Sequence, residues 1–271
     1  PCMGRAAVRM TRDVADAALL MQVLSRPDAR GSMALPPQAI DWSLAWRADK
    51  PLKGVRIGLL LEAGCGLAVE PAIRVAVEHA AHLFEAQGAV VTPMPPFMTP
   101  ELLAGLDHFW RMRSMLDLDA LAPAARDSVL PVIREWAESA RGMSGADVFR
   151  AYAATHATRV ATNAAMQAFD YVISPVSPNA PAPFDWPSPT NDPLRGLEHI
   201  GFTVPFNMGE QPAISVNCGY MDSPGTPGAA LPIGLQIAGQ RFDDLGVLQM
   251  ARAFEQLRGP QRAWPAVPSK A

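Results

Sequence analysis

Residues Phe202 to Gly219, FTVPFNMGEQPAISVNCG, constrain the fold of this chain more than any other stretch. Pro205, Gly209 and Pro212 oppose a helix ahead of Ala213, because proline lacks an amide donor and glycine is entropically costly in a helix. Ala213-Ile-Ser-Val-Asn217 then alternates apolar and polar side chains, as a half-buried strand does. A second strand follows at Pro232-Ile-Gly-Leu-Gln-Ile-Ala238, and Gly239 ends it. The segment RFDDLGVLQMARAFEQL reads as a closing helix opened by Asp243 or Asp244. The order is loop, strand, Gly/Pro-rich turn, strand and helix.

The upstream sequence adds the other parts of an α/β layout. Val14 to Leu24 has helical spacing, with Val14, Ala17, Met21 and Leu24 on one face and Thr11 placed to cap it. Residues 26 to 53 read as a long connection onto which Trp42 and Trp46 pack. Val55 to Leu61 is a buried strand. Pro71 suits a first helical position, where its missing N–H costs nothing. Ile73, Val77, Ala80 and Phe84 share a helical face, and Gly88 ends the helix. Ala89 to Thr92 is the next strand, so this unit predicts a right-handed parallel crossover. Residues 101 to 170 read as helical. Within them Ser144 and Asp147 form a capping box for a long helix whose face carries Phe149, Tyr152, Ala153, His156, Val160, Ala164 and Gln167. Tyr171 to Ser174 is a short strand feeding SPVSPNAPAPFDWPSPTNDP, which is too rich in proline for any regular element. That segment serves either as a rigid connector or as a pocket lining.

Composition excludes several classes of function. The 271 residues are 49% hydrophobic and 18% charged, which gives a globular core. A net charge of −3 without a basic run gives no nucleic-acid signal. No apolar run reaches membrane-spanning length and no signal peptide is visible. Cys2, Cys65 and Cys218 are odd in number and lack metal spacing, so reduced thiols in a cytoplasmic protein are expected. His79 and His82 are three apart but have no third ligand beside them. His156 reads as a packed helix residue, and His108 and His199 have no recognisable partner. Leu60 to Gly66 is a plain turn rather than a phosphate loop, since it matches neither GxGxxG nor GxxxxGK[ST].

Five ordered blocks carry a family resemblance. They are GRAAVRMTRDVADAALLMQVLSRPD, LKGVRIGLL, VEPAIRVAVEHAAHLFEAQGAVV, FDYVISPVSPNAP, and FTVPFNMGEQPAISVNCG with LPIGLQIAGQRFDDLGVLQMARAFE. In this order they resemble the C-terminal part of the amidase signature family, with residues 94–143 matching least. The resemblance implies an α/β fold in which a mixed β-sheet is flanked by helices, an α/β/α sandwich. It makes residues 1–271 a single partial domain, the C-terminal part of an amidase domain, with 101–170 a helical segment inside it. It also implies hydrolysis of carboxylic amide C–N bonds by a Ser nucleophile, a second Ser on a cis peptide and a Lys base. A Ser must give its proton to a nearby base to attack an amide carbonyl, and a Lys serves when its surroundings lower its pKa.

Those catalytic residues are not found here. The lysines are Lys50, Lys53 and Lys270, and none stands beside a Gly/Ser run. Gly31-Ser32 and Ser144-Gly145 lack the run, and GxSxG is absent. The chain is therefore expected to be part of a longer amidase, with catalytic groups in an N-terminal half outside it. Pro1 as first residue fits a processed, cut or cropped end. No catalytic residue, metal or cofactor is assigned.

By resemblance, three regions supply substrate-cleft walls: Phe109 and Trp110; Ser177 and Asn179; and Phe202, Phe206, Asn207 and Gln211. Taken singly, each of these residues also has a packing or turn role, and Asn207 is expected to hold loop backbone. The expected partners are a small-molecule amide substrate and the N-terminal half, with a homodimer left open. In transamidases that act on glutamine, an acidic residue stands three positions before the Thr matching Thr203. Here Ile200 holds that place, which points to a neutral or apolar amide. The competing reading is a non-catalytic binding module that reuses the fold.

Overall fold

The computed structural model describes residues 10–28, 30, 35–44, 52–223 and 225–263. Cys2, Trp46, Lys50, Lys270 and the Gly31-Ser32 pair lie outside the described residues.

Helix α1 spans Val14–Leu24. Its cap is Asp13, whose carboxylate accepts from the Asp16 amide at 2.9 Å. Thr11 does not cap it; its hydroxyl donates instead to Asp13 O. Strand β1, Arg56–Leu59, leads through a turn to α2, Pro71–Ala86, with proline at the helix start. Gly88 reverses the chain at φ 89° into β2, Val90–Pro93. The β1/β2 pair is parallel, as the strand–helix–strand spacing predicts. The turn after β1 is tighter than its sequence suggests. Gly66 has φ 72°, and a Cβ there would lie 2.1 Å from Glu198 O. Only glycine permits that approach, which lets the Leu67 amide donate to Glu198 O at 2.9 Å.

Four helices follow: α3 Pro100–Asp119, α4 Pro123–Asp127, α5 Pro131–Glu138 and α6 Gly145–Met166. Ser144 and Asp147 form the reciprocal capping box at the start of α6. The buried side of α6 is Ala151, Thr155, Thr158, Thr162 and Met166. The face with Phe149, Tyr152 and Val160 points outward, and His156 on it is exposed rather than packed. Threonines can line the interior because their hydroxyls bond back to the helix: Thr158 donates to Ala154 O and Thr162 to Thr158 O.

Strand β3, Tyr171–Pro175, is followed by the proline-rich segment and then by α7, Val204–Gly209. The sequence expectation of no helix before Ala213 fails here. Pro205 occupies the first turn, where it needs no donor, and Gly209 is the last residue before Glu210 turns left-handed. Strands β4, Ala213–Ser223, and β5, Thr226–Gly239, form one long antiparallel hairpin. The Gly/Pro-rich stretch between the expected short strands is therefore sheet, since a β-hairpin tip tolerates such residues. Helix α8, Asp244–Leu257, is capped by Asp243.

The sheet is mixed, in the order β2-β1-β3-β5-β4, with β1, β2 and β3 parallel and β5 antiparallel to its neighbours. One face carries Ile57, Ile173, Leu235, Ile237 and Val216 against α1, α2 and α8, where Phe84 and Phe254 stack at 5.6 Å. The other face carries Val172 and Ala238 against Met166, Phe202 and Phe206. Each fully buried large side chain contributes about 1.5–3 kcal/mol through removal from water. On this second face Gln236 bridges β5 to β3 and to the α7 approach. Its Nε2 donates to Ser174 Oγ at 2.9 Å and to Phe202 O at 2.8 Å.

Candidate functional site

An open cleft of about 2170 Å³ runs along β4. One side is built by α6 and α7, with Tyr152, His156, Arg159, Phe206 and Asn207. The segment after β3 adds Ser177, Asn179 and the run Pro181–Pro189. The opposite side is built by Val14, Ala17 and Met21 of α1 and by Leu248 of α8.

Of the residues named from sequence, Ser177, Asn179, Phe206, Asn207 and Gln211 line this cleft. Ser177 Oγ donates to Asn179 Oδ1 at 3.4 Å, and Asn179 Nδ2 donates to Ala180 O at 2.7 Å. The turn is tied to α2 through Glu70, which accepts from the Ala180 amide at 3.2 Å. Gln211 is almost wholly buried; its Nε2 donates to Asn163 Oδ1 at 2.7 Å, while its Oε1 has no partner among the described residues. Asn207 does not hold loop backbone. Its side chain is exposed on the cleft wall and bonds to no described residue, because the helix α7 already satisfies the neighbouring main chain.

Phe109, Trp110 and Phe202 are not on the cleft surface. Phe109 stands one ring behind it, 6.1 Å from Tyr152 between centroids. Trp110 packs on the Met98, Leu106, Val204 and Met208 cluster. Phe202 is 1% exposed, in the core beside Phe206. Ile200 joins Trp110 in its cluster, whereas His199 faces the cleft. Burial pushes the His199 pKa below its ordinary 6.5, and its Nδ1 is buried without a partner among the described residues.

Sequence reasoning missed the ionic cluster at the cleft rim. Glu210 accepts from Arg159 Nη2 at 2.5 Å and from Arg241 Nη2. Arg159 Nε also donates to Met208 O at 3.0 Å, which ties α6 to the end of α7. The local signal was an acidic residue in the turn position before Gln211-Pro212, where glycine is the ordinary choice for a left-handed backbone. A second missed network lies behind the cleft. Arg111 donates from Nε to Asp107 at 2.6 Å, from Nη1 to Ser139 Oγ and from Nη2 to Pro193 O, both at 2.8 Å. Trp136 Nε1 donates to the other Asp107 oxygen at 2.8 Å. This network clamps the proline-rich segment to α3 and α5.

No cluster of three or more His, Cys, Asp or Glu able to hold a metal exists among the described residues. His82 pairs with Glu85 at 2.9 Å on an exposed face. No helix among the described residues is long and apolar enough to cross a membrane.

A family model described as Amidase matches residues 7–248. The chain belongs to the amidase family. Among its curated relatives, a glutamyl-tRNA(Gln) amidotransferase subunit from Myxococcus xanthus is 30% identical, over 91% of this chain and 54% of that protein. The corresponding amidotransferase subunit from Synechococcus sp. strain RCC307 is 29% identical, over 95% of this chain and 56% of that protein. This amidase-family chain thus spans about half the length of the curated relatives it matches. Among solved structures, a bacterial aryl acylamidase of the amidase signature family superposes with a TM-score of 0.73 at 24% identity, over 91% of this chain and 52% of that one. A 6-aminohexanoate cyclic dimer hydrolase complexed with substrate gives 0.70 at 22%, over 91% and 53%. These likenesses establish the mixed-sheet amidase signature fold for the five strands and their helices.

Proposed function

We propose that this chain is the C-terminal part of an amide hydrolase, one partial domain that builds the walls of the substrate cleft. The nucleophile, the second serine and the lysine base come from polypeptide outside it. The observation that carries this reading is a cleft of family-appropriate fold without a lysine among the described residues that line it. Lys53, the one lysine among the described residues, is exposed beside Gly88 at the start of β1, away from the cleft. The share of its relatives that the chain spans supports the same reading.

The substrate we infer is a neutral or apolar carboxylic amide. The cleft wall offers Tyr152 and Val176 for apolar contact, with Phe206 packed in the core behind them, and Ser177, Asn179, Asn207 and Gln211 for orientation. Ile200, which stands where glutamine-directed transamidases carry an acid, is packed in an apolar cluster and offers nothing to an ammonium group. Hydrolysis assays of the longer natural product test this: aryl or alkyl amides are cleaved faster than glutamine. Faster cleavage of glutamine contradicts it.

A further inference from the structure

The proline-rich segment after β3 is held at two places and loose between them. Ala180 is buried, and its amide donates to Glu70 Oε1 at 3.2 Å. Ser188 is buried, and its hydroxyl bonds to that of Thr190 at 3.1 Å. Thr190 also donates to Arg195 O at 3.1 Å, and Arg111 holds Pro193 O at 2.8 Å. Between these anchors Pro181 to Pro187 make one hydrogen bond among the described residues, from the Trp186 amide to Pro183 O at 3.0 Å, and it lies within the segment. Exposed backbone with no bond to the body of the protein sits at the low-stability end of a structure and shifts readily.

The composition of this span is at odds with its exposure. Phe184 stands fully in water, 102% exposed, and Trp186 is 42% exposed. Both line the cleft, as do Tyr152 of α6 and Phe242 of the turn before α8, which are exposed too. Pro181, Pro183 and Pro187 stiffen the span, because each fixes a backbone dihedral. A stiff span loses little conformational entropy when it moves as a unit, so burial of Phe184 would not be offset by ordering of the chain. At about 2170 Å³ the cleft exceeds the roughly 300–1,000 Å³ of small-ligand sites, and its described walls leave a small apolar amide in contact with water.

We propose that Pro181–Pro187 is a strap that closes over a bound apolar amide, and that Phe184 at its middle is the residue that sets the preference for apolar groups. This rests on the apolar-amide reading above. The strap pivots between the anchors at Ala180 and Ser188, so the Phe184 side chain leaves water for the cleft as water leaves the substrate. The gain is realised only with a substrate that has apolar surface to cover. Acetamide has almost none, and closure over it gains almost nothing. Polypeptide outside this chain that covered Phe184 permanently would bury it without any substrate, and the test separates that case from the strap.

Chymotrypsin cuts after aromatic residues, so limited digestion of the intact natural gene product reports the strap at the Phe184–Asp185 bond. The probe is benzyl propyl ketone, an uncleavable analogue of butyranilide with a methylene in place of the amide nitrogen. A free Ala-Pro-Phe peptide in the same mixture corrects for any effect of the ketone on the protease. Cleavage after Phe184 should be fast without the ketone and at least ~10-fold slower when the ketone saturates the protein. Phe184→Ala should weaken ketone binding and raise KM for butyranilide, each by about tenfold, the factor that burial of one phenylalanine supports. The same variant should leave KM for acetamide and the Tm unchanged, and Phe184→Leu should restore most of the affinity. Slow cleavage without the ketone means that other polypeptide covers Phe184, and overturns the strap. Cleavage that the ketone leaves unchanged overturns it too, as does equal ketone binding by the parent and Phe184→Ala. In a product that hydrolyses butyranilide, each of these failures leaves the amidase reading intact. Ketone-dependent protection in a product without hydrolase activity upholds the strap and removes the amidase reading.

Discussion

Glu210 keeps a left-handed backbone, φ 62°, while its carboxylate accepts from Arg159 Nη2 at 2.5 Å. The conformation costs a residue with a Cβ roughly 1–2 kcal/mol. The partly exposed ion pairs to Arg159 and Arg241 return about 0–1 kcal/mol each. The two effects nearly balance. Glu210→Gln retains the strain and loses the charge, so we predict a loss of about 1 kcal/mol in urea unfolding of the longer product. Glu210→Gly relieves the strain as it loses the pairs, and should lie within about 1 kcal/mol of the parent. A glutamine variant as stable as the parent contradicts this balance.

Arg111 is a different case, because it is buried and its partner Asp107 is largely shielded from water. Breaking such a pair by removing one partner costs about 3–5 kcal/mol, since the other charge stays desolvated. Arg111→Met should therefore cost at least about 3 kcal/mol and release the segment around Pro193 to proteolysis. The double change Arg111→Met with Asp107→Leu should cost less than Arg111→Met alone. Equal costs would mean that the pair is not coupled.

His199 gives a pH dependence of defined sign. Burial holds its folded pKa below 6.5, so the unfolded chain binds a proton first as pH falls. Its neutral form contributes stability that is fully present above pH 6.5 and is lost as pH falls through the folded pKa. Thermal melts of the longer product between pH 8 and pH 5 (roughly the window of histidine titration) should therefore steepen in their pH response relative to His199→Gln. Parallel curves for the two proteins would sink this assignment.

Cys65 and Cys218 should be slow thiols. Burial raises their pKa values to about 11 and about 12. Only the thiolate attacks disulfide reagents. Labelling of both should be slow in the folded protein at pH 8 and rapid after unfolding in guanidinium. Fast labelling of either in the native state contradicts the burial.

The sequence and the structure part company where tertiary contacts override local patterns. The β1–α2–β2 crossover, the Ser144 capping box and β3 were legible, because each rests on local chemistry: Pro71, Gly88, a reciprocal cap, a short apolar run. Helix α7 was not, since proline and glycine discourage a helix in the interior but fit its first and last turns. The length of the β4–β5 hairpin was also hidden, because the stretch around Gly228 read as a Gly/Pro-rich turn although Gly228 lies within β5. On α6 the face carrying Phe149 and Tyr152 is the more apolar by sequence, yet threonines line the interior. Of the residues named for the cleft, Ser177, Asn179 and Gln211 in connections and Phe206 and Asn207 of α7 reached it. The aromatics Phe109, Trp110 and Phe202 were drawn inward by packing. The Glu210 and Arg111 networks join residues from three or more separate elements, and no spacing in one dimension signals that.

Among the described residues β4 has a strand neighbour on one side only, and this edge predicts the behaviour of the isolated polypeptide. Uncovered main-chain groups beside an apolar cleft favour association with other chains. Expressed alone, residues 1–271 should aggregate or lack a cooperative melt. A sharp melt of a soluble monomer contradicts this.

Whether the catalytic residues lie outside this chain is decided by one comparison. Turnover of an aryl amide is measured side by side for the longer product proposed above and for that product with every lysine ahead of residue 1 changed to alanine. Hydrolysis by the longer product is expected, with only the background rate from the variant. Undiminished turnover by the variant would overturn the proposed function and would place the base within this chain.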